Sequence, residues 1–503
     1  MRAIAINIKA YIKAVLLLCF LVFLSTFVCA QSSQEYDIVL KGGRVMDPET
    51  KLDAVKNIGI IHNRIAEISS EPLKGKQTID ANGLVVAPGF IDLHVHGRSN
   101  KEQEYQLHDG LTTALELEWG IEFLDKWYDS RKGKALINYG ASVCWPFERA
   151  KAMEKYKAVL NDLYQTTLKG DATLERLLNK ISPSFTDTLS AGENGKVLAN
   201  IKASLGEGGI VIGVPIGYLP KTKPGEMFSV YKLAGEMNAL VFSHVRQPDI
   251  ASIQEAIADA VLTGAPLHIV HINSMSLGQI QLALELIKSA ADKGFDITTE
   301  LYPYTAASTL LQSAMFTEGW QERLGISYGD LQWEATGERL TKESFEVNRK
   351  AGGTVIIHMM KPEWIKTGIA APTVMIASDG MPYSPLAHPR TAGTFSRVLG
   401  KYAREEKVID LMTAIEKMTL LPAKRLETVA PMMRYKGRIQ IGADADITIF
   451  NAKTIIDKAT FDKGLAFSEG IEYVIVNGVV VLKNGKTAAN VFPGQPVYGK
   501  FKK

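Results

Sequence analysis

Two histidines separated by one residue, His94 and His96, are the strongest indication of chemistry in this sequence. They close the apolar run Gly-Phe-Ile-Asp-Leu-His-Val-His at residues 89–96. Because side chains alternate along a strand, the two imidazoles face the same way. Paired imidazoles at the end of a buried strand are suited to a divalent metal ion, with zinc as the first candidate.

Three more polar residues close apolar runs later in the chain. His244 ends Val-Phe-Ser-His, His271 ends His-Ile-Val-His, and Asp379 ends Met-Ile-Ala-Ser-Asp. The chain has nine histidines, so four of them at the ends of predicted strands indicate a common site. His, Asp and Glu must supply its ligands, because Cys144 is the only cysteine after residue 30.

The elements that must position these residues alternate between strands and helices. Most of the predicted strands are continuous apolar runs, as expected for strands buried on both faces. They are residues 89–96, 112–118, 135–143, 210–216, 239–245, 267–273, 296–302 and 373–379. Eight such units predict an α/β fold, a (β/α)8 TIM barrel, whose active site lies at the C-terminal ends of the strands.

The two ends of segment 31–503 are rich in predicted short strands and tight turns. We therefore predict that residues 31–86 and 435–503 form one small β-sandwich, with the barrel at 87–434. Two connections, 145–209 and 303–372, exceed ordinary barrel loops and are expected to wall a pocket.

Residues 1–30 combine a basic start, an apolar core and Val28-Cys29-Ala30 before Gln31, which is typical of a signal peptide. We therefore expect export to the periplasm or medium; lipid attachment at Cys29 stays open. Without this segment the basic residues equal the 54 acidic ones. That balance argues against nucleic acid as a partner, and no later apolar stretch is long enough for a membrane span.

Longer motifs add a family resemblance. The set of His94, His96, His244, His271 and Asp379 resembles the metal site of the amidohydrolase superfamily. The final third is similar to its N-acyl-D-amino-acid deacylase (D-aminoacylase) branch, and the resemblance extends from about Tyr36 to Lys486. The motifs that carry it are Tyr302-Pro303-Tyr304-Thr305-Ala306, Ser378-Asp379-Gly380, His388-Pro389-Arg390-Thr391, Lys417-Met418-Thr419, Gly442-Ala443-Asp444-Ala445-Asp446 and Val476-Asn477-Gly478.

The resemblance implies one or two metal ions held by the five residues of that set. Asp379 would also move the proton between water and the departing amine. It further implies that Arg390, Tyr302 and Ser308 hold a substrate carboxylate, and a planar guanidinium suits that role. Arg246 is a second candidate for an anionic group.

The sequence departs from this branch at the end of the second barrel strand. Where the branch carries a metal-bridging cysteine, this chain has Trp119. Glu116 and Glu118 precede it on one face, and a carboxylate pointing into a barrel needs a partner or a metal. We predict Glu118 as the bridging ligand, with Glu116 as the alternative. Oxygen ligands make Mn²⁺ or Fe²⁺ the alternatives to Zn²⁺.

These observations together predict an exported hydrolase that acts on carbon–nitrogen bonds other than peptide bonds. The expected substrate is a small acylated amine, foremost an N-acyl-D-amino acid. Two alternatives remain at this stage: a cyclic-amide or isoaspartyl-dipeptide hydrolase with the same metal set, and an inactive barrel that serves as a binding or scaffold protein. The sequence leaves the oligomeric state open, a homo-oligomer included.

Overall fold

The computed structural model describes residues 34–503; the predicted signal segment lies outside them. The strands are β1 (Glu35–Asp47), β2 (Leu52–Ile61), β3 (Arg64–Ser69), β4 (Lys74–Asp80), β5 (Val85–Pro88), β6 (Phe90–Asp92), β7 (Leu111–Ile121), β8 (Asn138–Cys144), β9 (Ile212–Pro215), β10 (Val241–His244), β11 (Leu267–Ile269), β12 (Ile297–Leu301), β13 (Ala307–Leu310), β14 (Leu331–Trp333), β15 (Thr354–Ile357), β16 (Val374–Ile376), β17 (Ile447–Phe450), β18 (Ile471–Val476), β19 (Val479–Lys483) and β20 (Lys486–Thr487).

The α-helices lie mainly between the barrel strands and in the two long connections. They are α1 (Asn100–His108), α2 (Leu124–Arg131), α3 (Trp145–Ala152), α4 (Lys157–Leu168), α5 (Leu174–Ile181), α6 (Ala191–Gly206), α7 (Pro224–Met237), α8 (Ile250–Thr263), α9 (Ile272–Ser276), α10 (Ile280–Asp292), α11 (Trp320–Leu324), α12 (Lys342–Ala351), α13 (Pro362–Ala370), α14 (Arg390–Arg397), α15 (Leu411–Met418) and α16 (Leu420–Leu426). Within residues 34–503, every helix is too short or too polar to cross a bilayer.

Eight parallel strands form the barrel sheet, in the order β6-β7-β8-β9-β10-β11-β12-β16. Each falls within or overlaps one of the eight predicted segments, so the predicted fold class is confirmed. The first and last strands meet just beyond their ends, where the backbone nitrogen of His96 donates to the Gly380 oxygen at 2.7 Å. This contact brings His94, His96 and Asp379 to the same side of the barrel mouth.

The two ends of the described chain share a nine-stranded sheet. β17 pairs antiparallel with β5, and β5 pairs with the long strand β1. Isoleucines and valines from both ends, such as Ile58, Val86 and Ile449, pack in one buried cluster. The buried Lys436 supports this junction, since its ammonium lies 2.9 Å from Asp444 and 2.6 Å from Asp446.

The two long connections are folded and lie over the barrel mouth. Residues 145–209 form helices α3 to α6, and residues 303–372 include a three-stranded sheet in the order β13-β15-β14. Side chains from α5 and from β13 line the cavity described below. These segments therefore decide which molecules reach the barrel mouth.

Candidate active site

The four predicted histidines, Glu118 and Asp379 converge beyond the C-terminal ends of the barrel strands. All six side chains are buried, and their nitrogen and oxygen atoms form overlapping groups of three that could hold a metal ion. The structure thus brings together every residue predicted as a metal ligand. The apolar strands supply rigid supports: Glu118 lies within β7 and His244 ends β10, while the other four side chains directly follow β6, β11 and β16.

Glu118 occupies the centre of this cluster, with one oxygen facing each pair of histidines. Its Oε2 lies 3.1 Å from His94 Nε2 and 3.2 Å from His96 Nε2. Its Oε1 lies 2.8 Å from His244 Nδ1 and 3.8 Å from His271 Nε2. A carboxylate in this arrangement can join two neighbouring metal positions, one on each side.

The donor set fits divalent metal ions in spacing. Two ligand atoms bound tetrahedrally to one zinc ion at its usual bond lengths lie about 3.3–3.5 Å apart. The separations around Glu118 and the 3.2 Å between His96 Nε2 and Asp379 Oδ1 bracket that value.

The donor set also fits in charge. The carboxylates of Glu116, Glu118, Glu300 and Asp379 are buried within the cluster, and buried anions require compensating charge. Among the described residues, two arginines form ion pairs with them: Arg390 Nη2 lies 2.9 Å from Asp379 Oδ1, and Arg98 Nε lies 4.0 Å from Glu116 Oε2. Divalent ions would supply the remainder.

Asp379 lies between the histidines and a buried arginine. Its Oδ1 is 2.9 Å from Arg390 Nη2 and 3.5 Å from His94 Nε2. Burial alone would raise the pKa of Asp379, but Arg390 and the histidines hold it well below its usual range. Asp379 and His271 both have positive backbone φ angles, 51° and 33°. Such conformations are costly for non-glycine residues and cluster at functional sites.

Two carboxylates contact the outer nitrogens of the first histidine pair. Glu116 Oε2 lies 3.1 Å from His96 Nδ1, and Glu300 Oε1 lies 2.6 Å from His94 Nδ1. Burial opposes protonation of His94, but Asp379 and Glu300 hold its pKa well above the ordinary value. Glu300 is not among the residues predicted from the sequence; its signal is a carboxylate inside the otherwise uncharged strand Ile-Thr-Thr-Glu-Leu.

A cavity of about 290 Å³ opens onto the metal-ligand candidates. Its walls include Tyr302 and Ser308, both predicted to hold a substrate carboxylate, and Trp119. The Oγ of Ser308 has no hydrogen-bond partner among residues 34–503. Arg390 lies behind this wall, 1% exposed, with its guanidinium 4.6 Å from the centre of the Tyr302 ring.

Arg246 does not reach the cavity, contrary to its predicted role in binding an anionic group. Its guanidinium makes two bonds to Glu255, at 2.9 and 2.8 Å, and a third to the Thr222 oxygen. The Glu255 carboxylate neutralises the charge of Arg246, and Arg246 is not part of the cavity wall. Arg246 is therefore a structural ion-pair partner in this structure.

Comparison with known proteins gives consistent matches to one group of enzymes. Residues 255–482 match the profile of the Amidohydrolase family. The chain is 28% identical over 477 residues to the N-acyl-D-glutamate deacylase of Alcaligenes xylosoxydans xylosoxydans, covering 89% of this chain and 94% of that protein. It is also 28% identical over 471 residues to the D-aminoacylase of that organism, covering 89% and 95%.

The fold agrees with these sequence matches. The N-acyl-D-glutamate deacylase of Bordetella bronchiseptica, solved with zinc and a phosphonate inhibitor, superposes with a TM-score of 0.78 at 24% identity. That superposition covers 92% of this chain and all of the other. The predicted resemblance is confirmed: over most of its length the chain is similar to amidohydrolases of the D-aminoacylase branch.

Proposed function

We propose that this protein hydrolyses the amide bond of N-acyl-D-amino acids and binds one or two divalent metal ions, zinc foremost, to do so. The observation that carries the proposal is the central carboxylate of Glu118, with a pair of histidines at each oxygen. This arrangement lies at the base of a cavity with a size suited to a small ligand. The deacylase names of the relatives support the class of substrate.

A divalent ion at this site supplies Lewis acidity towards an amide carbonyl and makes a water molecule more acidic. We propose His94, His96, His244, His271, Glu118 and Asp379 as its ligands. In this mechanism Asp379 accepts the proton that the attacking water loses and returns it to the departing amine. Arg390 favours the ionised form of Asp379, which is the form that can accept that proton.

The polar side of the cavity wall suits the carboxylate of the substrate. Tyr302 and Ser308 present hydroxyl groups there, and Arg390 lies directly behind Tyr302. A carboxylate bound against Ser308 would meet an unpaired hydroxyl and the positive potential of the guanidinium. The scissile amide, attached to the neighbouring carbon, would then face Asp379.

The test is a hydrolysis assay of the purified zinc-loaded protein with N-acetyl-D- and N-acetyl-L-amino acids, with dihydroorotate and hydantoin as comparison substrates. Release of free amino acid from the D series supports the proposal. Ring opening of the cyclic substrates with inert N-acetyl-D-amino acids would identify a cyclic-amide hydrolase instead. We further propose export, based on the signal-like residues 1–30, which mass spectrometry of the periplasmic fraction can test.

A further inference from the structure

We propose that Glu300 is a positioning residue that controls one of the two metal positions, the one bounded by His94, His96 and Asp379. The inference rests on the metal site proposed above. It follows from the contacts of Glu300, whose carboxylate meets the side chain of His94 but not the side chains of the second histidine pair, His244 and His271. Nothing in the family motifs in the sequence points to this residue.

Glu300 lies on β12, and its carboxylate reaches the barrel interior with 1% of its surface exposed. Its Oε1 lies 2.6 Å from His94 Nδ1 and also accepts the backbone N–H of His271 at 3.4 Å. The carboxylate therefore connects His94, which follows β6, with His271, which follows β11. These two strands are not neighbours in the barrel sheet.

The other oxygen of Glu300 is itself held. His268 Nε2 lies 3.4 Å from Oε2, and His268 Nδ1 lies 2.7 Å from the Thr298 hydroxyl. The His268 ring is fully buried and stacks on Phe242, with the ring centres 4.3 Å apart. Rotation of the Glu300 carboxylate would break its contact with His268. The buried His268 ring therefore holds the carboxylate in its orientation towards His94.

The consequence for His94 is a defined tautomer. A histidine that binds a metal ion does so as the neutral imidazole with one N–H, and the nearby carboxylate favours the placement of that N–H at Nδ1. The Nε2 lone pair then faces Glu118 Oε2 at 3.1 Å and Asp379 Oδ1 at 3.5 Å, where a metal ion would lie. A carboxylate on the outer nitrogen also makes the imidazole a stronger ligand.

Within the part of the chain that the structure describes, no carboxylate supports an outer nitrogen of the second histidine pair, His244 and His271. The outer nitrogen of His271, Nδ1, lies 3.1 Å from the neutral Ser274 hydroxyl, and His244 directs Nδ1 at Glu118 itself. Loss of the Glu300 charge should therefore weaken the position bounded by His94 and leave the position bounded by His244 and His271 close to its original affinity.

The experiment compares zinc binding by the full-length mature protein and its Glu300→Gln variant, with stoichiometry from elemental analysis and affinity from chelator competition. Glu148→Gln is the matched control, because Glu148 is equally buried and accepts a hydrogen bond from Ser204 but contacts no ligand candidate. We expect Glu300→Gln to weaken one of two zinc sites about 10–100-fold, with the other site and the control unchanged.

A second variant, His268→Phe, removes the support of Glu300 while keeping a ring against Phe242. It should weaken the same site to a smaller extent, and it keeps the test available if Glu300→Gln does not fold. Two zinc sites of unchanged affinity in both variants would overturn the role of Glu300. A wild-type protein that binds no zinc would instead overturn the proposed metal site.

Discussion

Arg390 Nη2 lies 2.9 Å from Asp379 Oδ1; both side chains are buried, with Asp379 at the cavity and Arg390 behind its wall. The family resemblance predicts that Arg390 holds the substrate carboxylate directly. In this structure the guanidinium instead contacts the proposed proton-transfer residue and stacks on Tyr302. Arg390 can therefore act on substrate binding and on the chemical step, and the two roles give different kinetics.

The variant Arg390→Lys separates these roles. A lysine cannot reproduce the planar fork that contacts Asp379 and Tyr302. If Arg390 acts through Asp379, we expect kcat to fall about 10–100-fold with little change in KM. Steady-state kinetics with N-acetyl-D-leucine measures both parameters. A large rise in KM at unchanged kcat would show that the guanidinium binds the substrate carboxylate instead.

The variants Glu118→Gln and Glu116→Gln distinguish the two carboxylates of β7. Glu118 faces all four histidines, so its loss should reduce zinc content at both positions and lower kcat about 10²–10³-fold. Among the histidines of residues 34–503, the Glu116 carboxylate contacts His96 alone, so its loss should have a smaller effect at one position. Elemental analysis of both variants tests which carboxylate bridges the two positions. A larger loss of zinc from Glu116→Gln than from Glu118→Gln would make Glu116 the bridge.

The cavity wall predicts a preference for apolar substrates. Among the described residues that line it, Arg349 is the only Lys or Arg, while Leu174, Leu178 and Phe185 from the 145–209 connection contribute apolar surface. Against that apolar surface, away from Arg349, a second carboxylate would lose its hydration without gaining a cationic partner. We expect kcat/KM for N-acetyl-D-leucine to exceed that for N-acetyl-D-glutamate.

A positive charge introduced into that wall should reduce the difference in kcat/KM between the two substrates. Leu178→Arg places a cation at the cavity, and we expect it to raise kcat/KM for N-acetyl-D-glutamate relative to N-acetyl-D-leucine. Leu168→Arg is the control, since Leu168 belongs to the same connection but is exposed to solvent. The same ratio for wild type and both variants would show that the substrate side chain does not contact Leu178.

The contact between the two ends of the chain predicts a pH dependence of stability. Glu49 accepts a hydrogen bond from Arg438 Nε at 2.7 Å, and this contact, despite partial burial, lowers the pKa of Glu49 to about 2. Because the pKa is depressed in the folded protein, the stabilisation is complete above the ordinary pKa of 4.5 and declines as the pH falls towards 2. Glu49→Gln should therefore be destabilising at pH 7, and less so at pH 3.5.

Urea unfolding of wild type and Glu49→Gln at these two pH values measures that difference. Glu71→Gln, at an exposed position, controls for a general effect of losing a surface negative charge. An equal difference at both pH values would contradict the account of Glu49.

The barrel and the ligand candidates could be predicted because they depend on local patterns. Each of His94, His96, His244, His271 and Asp379 follows its own apolar run, and a parallel barrel brings the ends of such runs to one face. The alternation of Glu116 and Glu118 indicated two carboxylates at the same mouth. The choice between them could not be tested within the sequence, because it depends on which side chain points to the centre.

The remaining contacts depend on distances across the barrel, which local patterns do not encode. Glu300 reaches His94 from a strand about 200 residues later in the chain. Arg246 lies two residues after His244 and was predicted to bind an anionic group. Its guanidinium instead forms an ion pair with Glu255 on α8. Both outcomes follow from the register of neighbouring strands and helices, which is a property of the folded barrel.

The most direct test of the account is elemental analysis of purified protein covering residues 31–503, with the Asp379→Asn variant alongside and hydrolysis of N-acetyl-D-amino acids measured on the same samples. We predict about one to two equivalents of zinc or a similar ion in the wild type, and activity about 10²–10⁴-fold lower in Asp379→Asn. Less than about a tenth of an equivalent, with no activity after addition of zinc, would contradict the metal-dependent mechanism and favour a binding or scaffold role.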